Sequence, residues 1–471
     1  MDFTYCEFPS TVSIDTFQAY FNLKDVKLPK VGGKSWDTSQ TPTQSQSQSQ
    51  SQNEAHEGQT NQAKSLRHLV LDAIVENWSE LPLFEQLGRR EDRNYILSHL
   101  DTQLPLQLLS SHIREDFFWE RGYEQRWRAA PLQARGRERR PWINIYMERH
   151  VQEFIENMQT GDYEQEGNVQ ATLDICAAYI NQLEINFLQP SPATTEGNDH
   201  IPLDYLLGNL PDLRQLRLSY STKTAGCNYQ TGCNQLTPRD ILLLAKGLSQ
   251  CHELRQFCLH NTKLLPYQMR YLAHSLDKGC HHLSELSFIH CAVGDAGIRG
   301  FLETCGRESF GTLTVLDLTN NKITEEGAYV LSRTLRHVPL QRLVLRLNPI
   351  QSDGAAAIFH TLQAMPIKEL DLGSCCITET ITKLFMMLIC QHTTLLCIDI
   401  SNNALGEDFG RNLLKIVVCN KILEKFDLRN TGLSVDMRHK FQEFLTKNIE
   451  RKKYEALKKK QRDKVKLMMK I

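Results

Sequence analysis

The stretch Leu340-Gln341-Arg342-Leu343-Val344-Leu345-Arg346-Leu347-Asn348 reads L-x-x-L-x-L-x-x-N. The frame begins again at Leu213, Leu254, Leu283, Leu313, Ile367, Leu395 and Leu423. Copies lie 27 to 30 residues apart, save for one gap of 41 between Leu213 and Leu254. A fixed period in that range marks leucine-rich repeats, each of which is too small to bury its own leucines and must stack on its neighbours. Within a copy, the x-L-x-L-x core is a strand whose alternate residues face inward. The closing Asn suits a bend, because its side chain can satisfy backbone groups there.

A helix is expected after each strand, over Glu325–Arg336 and Ser352–Gln363 in two of the copies. Gly327-Ala328 and Gly354-Ala355 near their starts are small enough to let helix approach strand. With a period near 28, the pattern predicts an α/β fold: a leucine-rich-repeat horseshoe of the ribonuclease-inhibitor-like solenoid kind, with an N-terminal helical domain. A degenerate first copy is expected at Ile180, Leu183 and Ile185, since end repeats are atypical caps. Insertions interrupt the early copies near Pro190–His200 and at Ser219–Thr237, the latter read as a protruding loop.

Four segments follow: 1–64, a Gln/Ser-rich head; 65–180, helical; 181–436, the solenoid; 437–471, a Lys-rich helix or tail. The tract Thr43–Gln52 has no apolar face to repay ordering entropy and is expected to be disordered. In the helical segment, Leu66, Leu69, Val70, Ala73 and Ile74 make one face, and Ile143, Met147, His150, Val151, Phe154 and Met158 another. Trp119, Tyr123 and Trp127 form a stripe at helical spacing, read as a core face, with an exposed docking site as the other reading. The run Arg135–Arg140 reads as a solvated loop or, alternatively, a binding patch. From Arg438 to Ile471 there are 13 Lys and Arg against 4 Asp and Glu, a balance of +9. Phe441, Phe444 and Leu445 can cap the last repeat. The remainder reads as a solvated tail or as a dock for an acidic surface.

Formal net charge is −1, which supplies no global field toward nucleic acid. The opening MDFTYCEF lacks the basic and apolar parts of a signal peptide, and the apolar run Leu384–Cys390 is too short for a bilayer. The 14 cysteines are therefore expected as reduced thiols, and the sequon at Asn77 is expected to be irrelevant. Catalytic motifs are lacking. Gly32-Gly33-Lys34-Ser35 has Leu28 where a phosphate loop needs Gly. Cys251 and Cys280 each precede a strand at the same repeat position, so their likeness to metal ligands comes from repetition. No cofactor, metal or small-molecule substrate is expected.

The middle residue of each strand should face the concave side: Arg217, Cys258, Ser287, Asp317, Val344, Asp371, Asp399 and Asp427. Three successive aspartates about 5 Å apart repel, and Arg342, Arg346, Lys425 and Arg429 on the same face can relieve them. Arg217, Asp317, Arg342, Arg346, Asp371, Asp399, Asp427 and Arg429 are thus the candidate protein-binding face. L-D-L strands also recur in this repeat type whatever the ligand.

More specific signals precede and interrupt the repeats: Phe117-Phe118-Trp119-Glu120-Arg121, Arg126-Trp127, Glu148-Arg149-His150, and, after the first clear repeat, Ser219-Tyr220, Lys223 and Cys227-Asn228-Tyr229. Over roughly residues 65–436 the chain resembles the dynein regulatory complex subunit 5 family, also called T-complex-associated testis-expressed protein 1. The Gln/Ser head and Lys-rich tail depart from it. The resemblance implies a non-catalytic subunit of the nexin–dynein regulatory complex, which links outer doublets in the axoneme of motile cilia and sperm flagella. It implies coiled-coil and leucine-rich-repeat subunits as partners, with tubulin doublets a further candidate and no nucleic acid or membrane. It places the protein in the cytoplasm and cytoskeleton. A cytosolic leucine-rich-repeat adaptor and a GTPase-regulating protein are the alternatives.

Overall fold

The computed structural model describes residues 64–128, 140–158, 166–188, 199–221, 235–305 and 311–468. The Gln/Ser tract, the Gly32–Ser35 run, nearly all of Arg135–Arg140 and the middle of both insertions lie outside those residues. From Lys64 onward the chain forms one compact unit.

Among the described residues six helices lead in: α1 (Leu66–Glu76), α2 (Arg90–His99), α3 (Leu106–His112), α4 (Asp116–Trp127), α5 (Trp142–Asn157) and α6 (Glu166–Cys176). Nine parallel strands then pair in strict chain order: β1 (Gln182–Ile185), β2 (Gln215–Leu218), β3 (Gln256–His260), β4 (Glu285–Ile289), β5 (Val315–Asp317), β6 (Arg342–Val344), β7 (Glu369–Asp371), β8 (Cys397–Asp399) and β9 (Lys425–Asp427). Helices alternate with them: α7 (Asp204–Gly208), α8 (Pro238–Leu248), α9 (Pro266–Gly279), α10 (Gly294–Thr304), α11 (Glu325–Leu335), α12 (Gln351–Leu362), α13 (Thr382–Gln391) and α14 (Gly406–Val417), with α15 (Val435–Met468) last. The strand-then-helix repeat matches the expected solenoid, and the degenerate copy is real: Leu183 registers with Leu216 across β1 and β2.

The frame's last position holds adjacent repeats together. Buried Asn348 accepts the N–H groups of Asn321 (2.8 Å) and Ile323 (3.1 Å) from the preceding repeat, and donates to the carbonyls of Leu318 (2.8 Å) and Leu345 (2.9 Å). Asn403 repeats the pattern on Cys375, Ile377, Leu372 and Ile400. Where the Asn is replaced, a small donor stands in: the thiols of Cys291 and Cys375 reach the carbonyls of Leu259 and Leu345, both at 3.2 Å. The position thus selects a short side chain able to bond a buried bend.

Two expectations need correction. The small Gly327 and Gly354 do not serve helix-to-strand approach. A Cβ on Gly327 would meet Asp295 Oδ1 at 2.3 Å, and one on Gly354 would meet Ala328 Cβ at 3.0 Å, so these glycines let neighbouring helix starts nest. On α1, Leu66, Leu69 and Val70 stand exposed, while Leu71 is buried, as is Trp78 just past the helix end, and Ile74 and Val75 pack on the core. Two stripes at helical spacing overlap at Ile74, and polar contacts choose between them: Tyr95 donates to Asp72 at 2.6 Å, and Arg67 pairs with Asp92 at 2.6 Å.

The aromatic stripe takes the core reading. Trp119 and Tyr123 are buried and Trp127 packs on Tyr146, with ring centroids 5.1 Å apart. Its arginines join helices: Arg121 donates to the carbonyls of Ser98 and Leu100, and Arg126 pairs with Glu153 at 2.7 Å. At the far end, Phe441 and Leu445 of α15 are buried against the last repeat, as a cap requires. No helix among the described residues is long and apolar enough to cross a membrane.

Candidate functional site

The middle residues of the strands align as the frame demands: Arg217 beside Cys258, Asp317 beside Val344, and Asp371, Asp399 and Asp427 side by side on β7, β8 and β9. Each aspartate also does local work. Asp317, Asp371 and Asp399 accept the N–H two residues ahead, from Thr319, Gly373 and Ser401, all at 2.9 Å, and Asp427 accepts that of Arg429 at 3.0 Å. This Asx-type bond closes the turn that leaves the strand. It gives L-D-L a structural cause independent of any ligand.

Arg346 gathers the centre. Its Nε donates to Asp371 at 2.9 Å and a terminal nitrogen reaches Asp399. Burial works against its charge, but the two carboxylates outweigh it and hold the guanidinium protonated more firmly than usual. Burial dominates for Asp371 and raises its pKa, against the pull of the Gly373 N–H and Arg346. Asp427 is lowered instead, by the hydrogen bond from Arg429, which pairs with it at 2.6 Å. Arg342 and Arg217 are looser, at 3.4 Å from Glu369 and 3.7 Å from Glu184, with side chains about half exposed. The structure therefore brings Arg346, Asp371, Asp399, Asp427 and Arg429 together, and leaves Arg217, Asp317 and Arg342 along the rest of the sheet.

Sequence reasoning passed over Arg438. This α15 residue lies with Arg346, Arg429, Asn402 and Asn430 around a hollow of about 280 Å³. Its Nε is buried without a hydrogen-bond partner. In the sequence it is simply the first charge of a basic tail, and nothing local distinguishes it from the lysines beyond. The buried thiols are structural. Burial pushes Cys251 up to about 12, and its Sγ lies 3.4 Å from the carbonyl of Gly247, closing α8. Among the described residues no group of three or more His, Cys, Asp or Glu is placed to hold a metal ion.

A family model described as Leucine Rich repeat matches residues 312–332 and 337–359. The mouse protein named dynein regulatory complex subunit 5 is 29% identical over 255 residues, 50% of each chain. The chain resembles dynein regulatory complex subunit 5. The human protein of that name is 29% identical over 256 residues, again 50% of each, and that of Chlamydomonas reinhardtii 26% over 207 residues, 43% of this chain and 49% of the other. The chain spans about half the length of the curated dynein regulatory complex subunit 5 sequences it matches. Among solved structures, Leiomodin-1 Actin-Binding Site 2 is similar at 18% identity and a TM-score of 0.31, over 33% of this chain and 92% of that one. The tropomodulin C-terminal domain of Caenorhabditis elegans is similar at 18% identity and a TM-score of 0.22, over 46% and 98%.

Proposed function

We propose that this chain is a non-catalytic leucine-rich-repeat subunit of the nexin–dynein regulatory complex in the axoneme of motile cilia and flagella. The supporting observation is its similarity to proteins named dynein regulatory complex subunit 5 in mouse, human and Chlamydomonas reinhardtii. A sheet tied between repeats through Asn321, Asn348 and Asn403 suits a rigid spacer, because side-chain to backbone bonds fix the distance from one repeat to the next. In this reading the solenoid regulates motility, sperm motility included, by holding coiled-coil and leucine-rich-repeat subunits at a set place in the linker, near the tubulin doublets.

The concave strands carry that contact in the proposal. The bonded aspartates shape the surface, and the half-exposed Arg217 and Arg342 are the side chains a partner can engage without breaking a turn.

The test is to tag the protein in a flagellated cell, remove membranes with detergent and wash the axonemes in moderate salt. Retention along the doublets is expected, and complete release into the soluble fraction would overturn the assignment. The paired substitution Arg217→Glu and Arg342→Glu is expected to reduce incorporation while the fold survives. Full incorporation would remove the concave face from the proposal.

A further inference from the structure

The two ends of the sheet are finished differently. At the first edge, α5 supplies carboxylates: Glu148 accepts the N–H groups of Gln182 (2.8 Å) and Asn181 (3.1 Å), and Glu156 accepts that of Asn186 at 2.9 Å. At the last edge, α15 packs Phe441 on Phe426 of β9 but, among the described residues, hydrogen-bonds only to the lead into that strand. There Asn448 donates to the carbonyls of Asn420 (3.0 Å) and Leu423 (2.9 Å), and Lys452 to that of Ile422 at 2.8 Å. Beyond this point helix and strand enclose a groove of about 480 Å³, lined by Lys425, Phe426, Leu428, Arg438 and Gln442 among others.

Strand chemistry fixes what the groove offers. The carbonyls of Asp427 and Arg429 accept the N–H groups of Ile400 (3.2 Å) and Asn402 (2.9 Å), so those residues bond toward β8. Alternate residues of a parallel strand bond to opposite sides, so the N–H and carbonyl of Phe426 and the N–H of Leu428 turn toward the groove, while the Leu428 carbonyl accepts the Thr431 hydroxyl at 2.7 Å and both side chains stay in the core. Side-chain charge adds the rest. Glu424 is paired with Lys452 and Asp427 with Arg429, both at 2.6 Å, whereas Arg438 has no carboxylate partner among the described residues and its Nε is buried unbonded.

We propose that the groove between β9 and α15 binds an extended acidic peptide of another protein. Its backbone adds to the edge of β9, and its carboxylates meet Arg438 and Lys425. The molecule already shows the chemistry at its other end, where glutamates accept the N–H of Gln182 on β1 and those of the flanking Asn181 and Asn186. Edge addition supplies backbone hydrogen bonds, and an unpaired guanidinium selects carboxylate over amide. This binding does not depend on the axonemal reading.

The test uses the full chain and a fluorescein-labelled peptide of alternating Glu and Val, read by anisotropy at physiological salt. The same peptide with Gln for Glu, and one N-methylated at alternate backbone nitrogens, are the controls. Binding of the Glu peptide is expected, with each control weaker by about tenfold or more, the worth of one charge-assisted bond. Arg438→Gln is expected to weaken binding about tenfold. Lys425→Glu, an exposed change that spares the fold, is expected to do so by at least as much. Replacing Lys458, Lys459 and Lys460 with Gln is expected to leave binding unchanged. No binding of the Glu peptide, equal binding of the Gln peptide, or indifference to both Arg438→Gln and Lys425→Glu would overturn the proposal. So would loss of binding on the three tail substitutions alone. Equal binding of the N-methylated peptide would overturn strand addition.

Discussion

The carboxylate of Glu148 on α5 accepts the backbone N–H of Gln182 on β1 at 2.8 Å. One side chain thus joins the helical segment to the first edge of the solenoid, and Arg140 pairs with it from the other side. Glu148→Ala leaves the N–H groups of Asn181 and Gln182 and the Arg140 guanidinium without their acceptor. A loss of about 2–4 kcal/mol is expected, read by denaturant titration. An unchanged midpoint would mean that water replaces the carboxylate.

Arg346 is the sole guanidinium bonded to both Asp371 and Asp399 among the described residues. Arg346→Met removes that relief and sets three adjacent carboxylates against one another, at an expected cost of about 2–3 kcal/mol. Asp399→Asn in the same chain is expected to restore part of it. A double-mutant cycle with no coupling would refute the bridging role.

Asn348→Ala is expected to be among the most damaging single changes, at about 3 kcal/mol or more, since it removes bonds to two repeats at a fully buried site. Hydrogen exchange should quicken at Asn321 and Ile323 before it does in β2 or β3. Uniform quickening along the sheet would contradict a nearest-neighbour ladder.

Leu347 stands at φ 60°, where the matching positions of other repeats hold Asn320 (53°), Asn402 (56°) and Asn430 (53°). A left-handed backbone is costly for leucine and mild for asparagine. Leu347→Asn is expected to raise stability by up to about 1 kcal/mol, although it removes an apolar side chain. A lower melting temperature would show that the half-exposed leucine packs usefully.

His260 is held to about 4, chiefly by burial and secondarily by Arg217. Its folded pKa lies below the usual 6.5, so the unfolded chain takes up the proton first. The associated stability is complete above about pH 6.5 and drains away as pH falls toward 4. His260→Gln should flatten the acid limb of the melting-temperature profile. A profile identical to wild type would show that the imidazole is solvated.

The repeat frame was legible because every copy must place leucines at the same three inward points, and β1 to β9 lie where that spacing puts them. The aspartate row was legible too, but its cause was not. The bonds from Asp317, Asp371, Asp399 and Asp427 to the turns ahead depend on backbone geometry that a spacing cannot show. Arg438 was hidden for another reason: what sets it apart is that the carboxylates around it, Glu424 and Asp427, pair with other cations, and only folding reveals its neighbours. On α1, two stripes satisfied the same periodicity, and the contacts from Tyr95 and Arg67 decided between them.

The unequal finish of the two sheet edges gives the solenoid a direction. Thermal or mechanical opening should start at β9, whose outer edge pairs with no further strand among the described residues, and travel toward β1, each repeat loosening once the buried side-chain lock beyond it is lost. The fold is therefore a one-way zipper with its stop at the helical end, and an occupant of the last groove would act as the slider that keeps it shut.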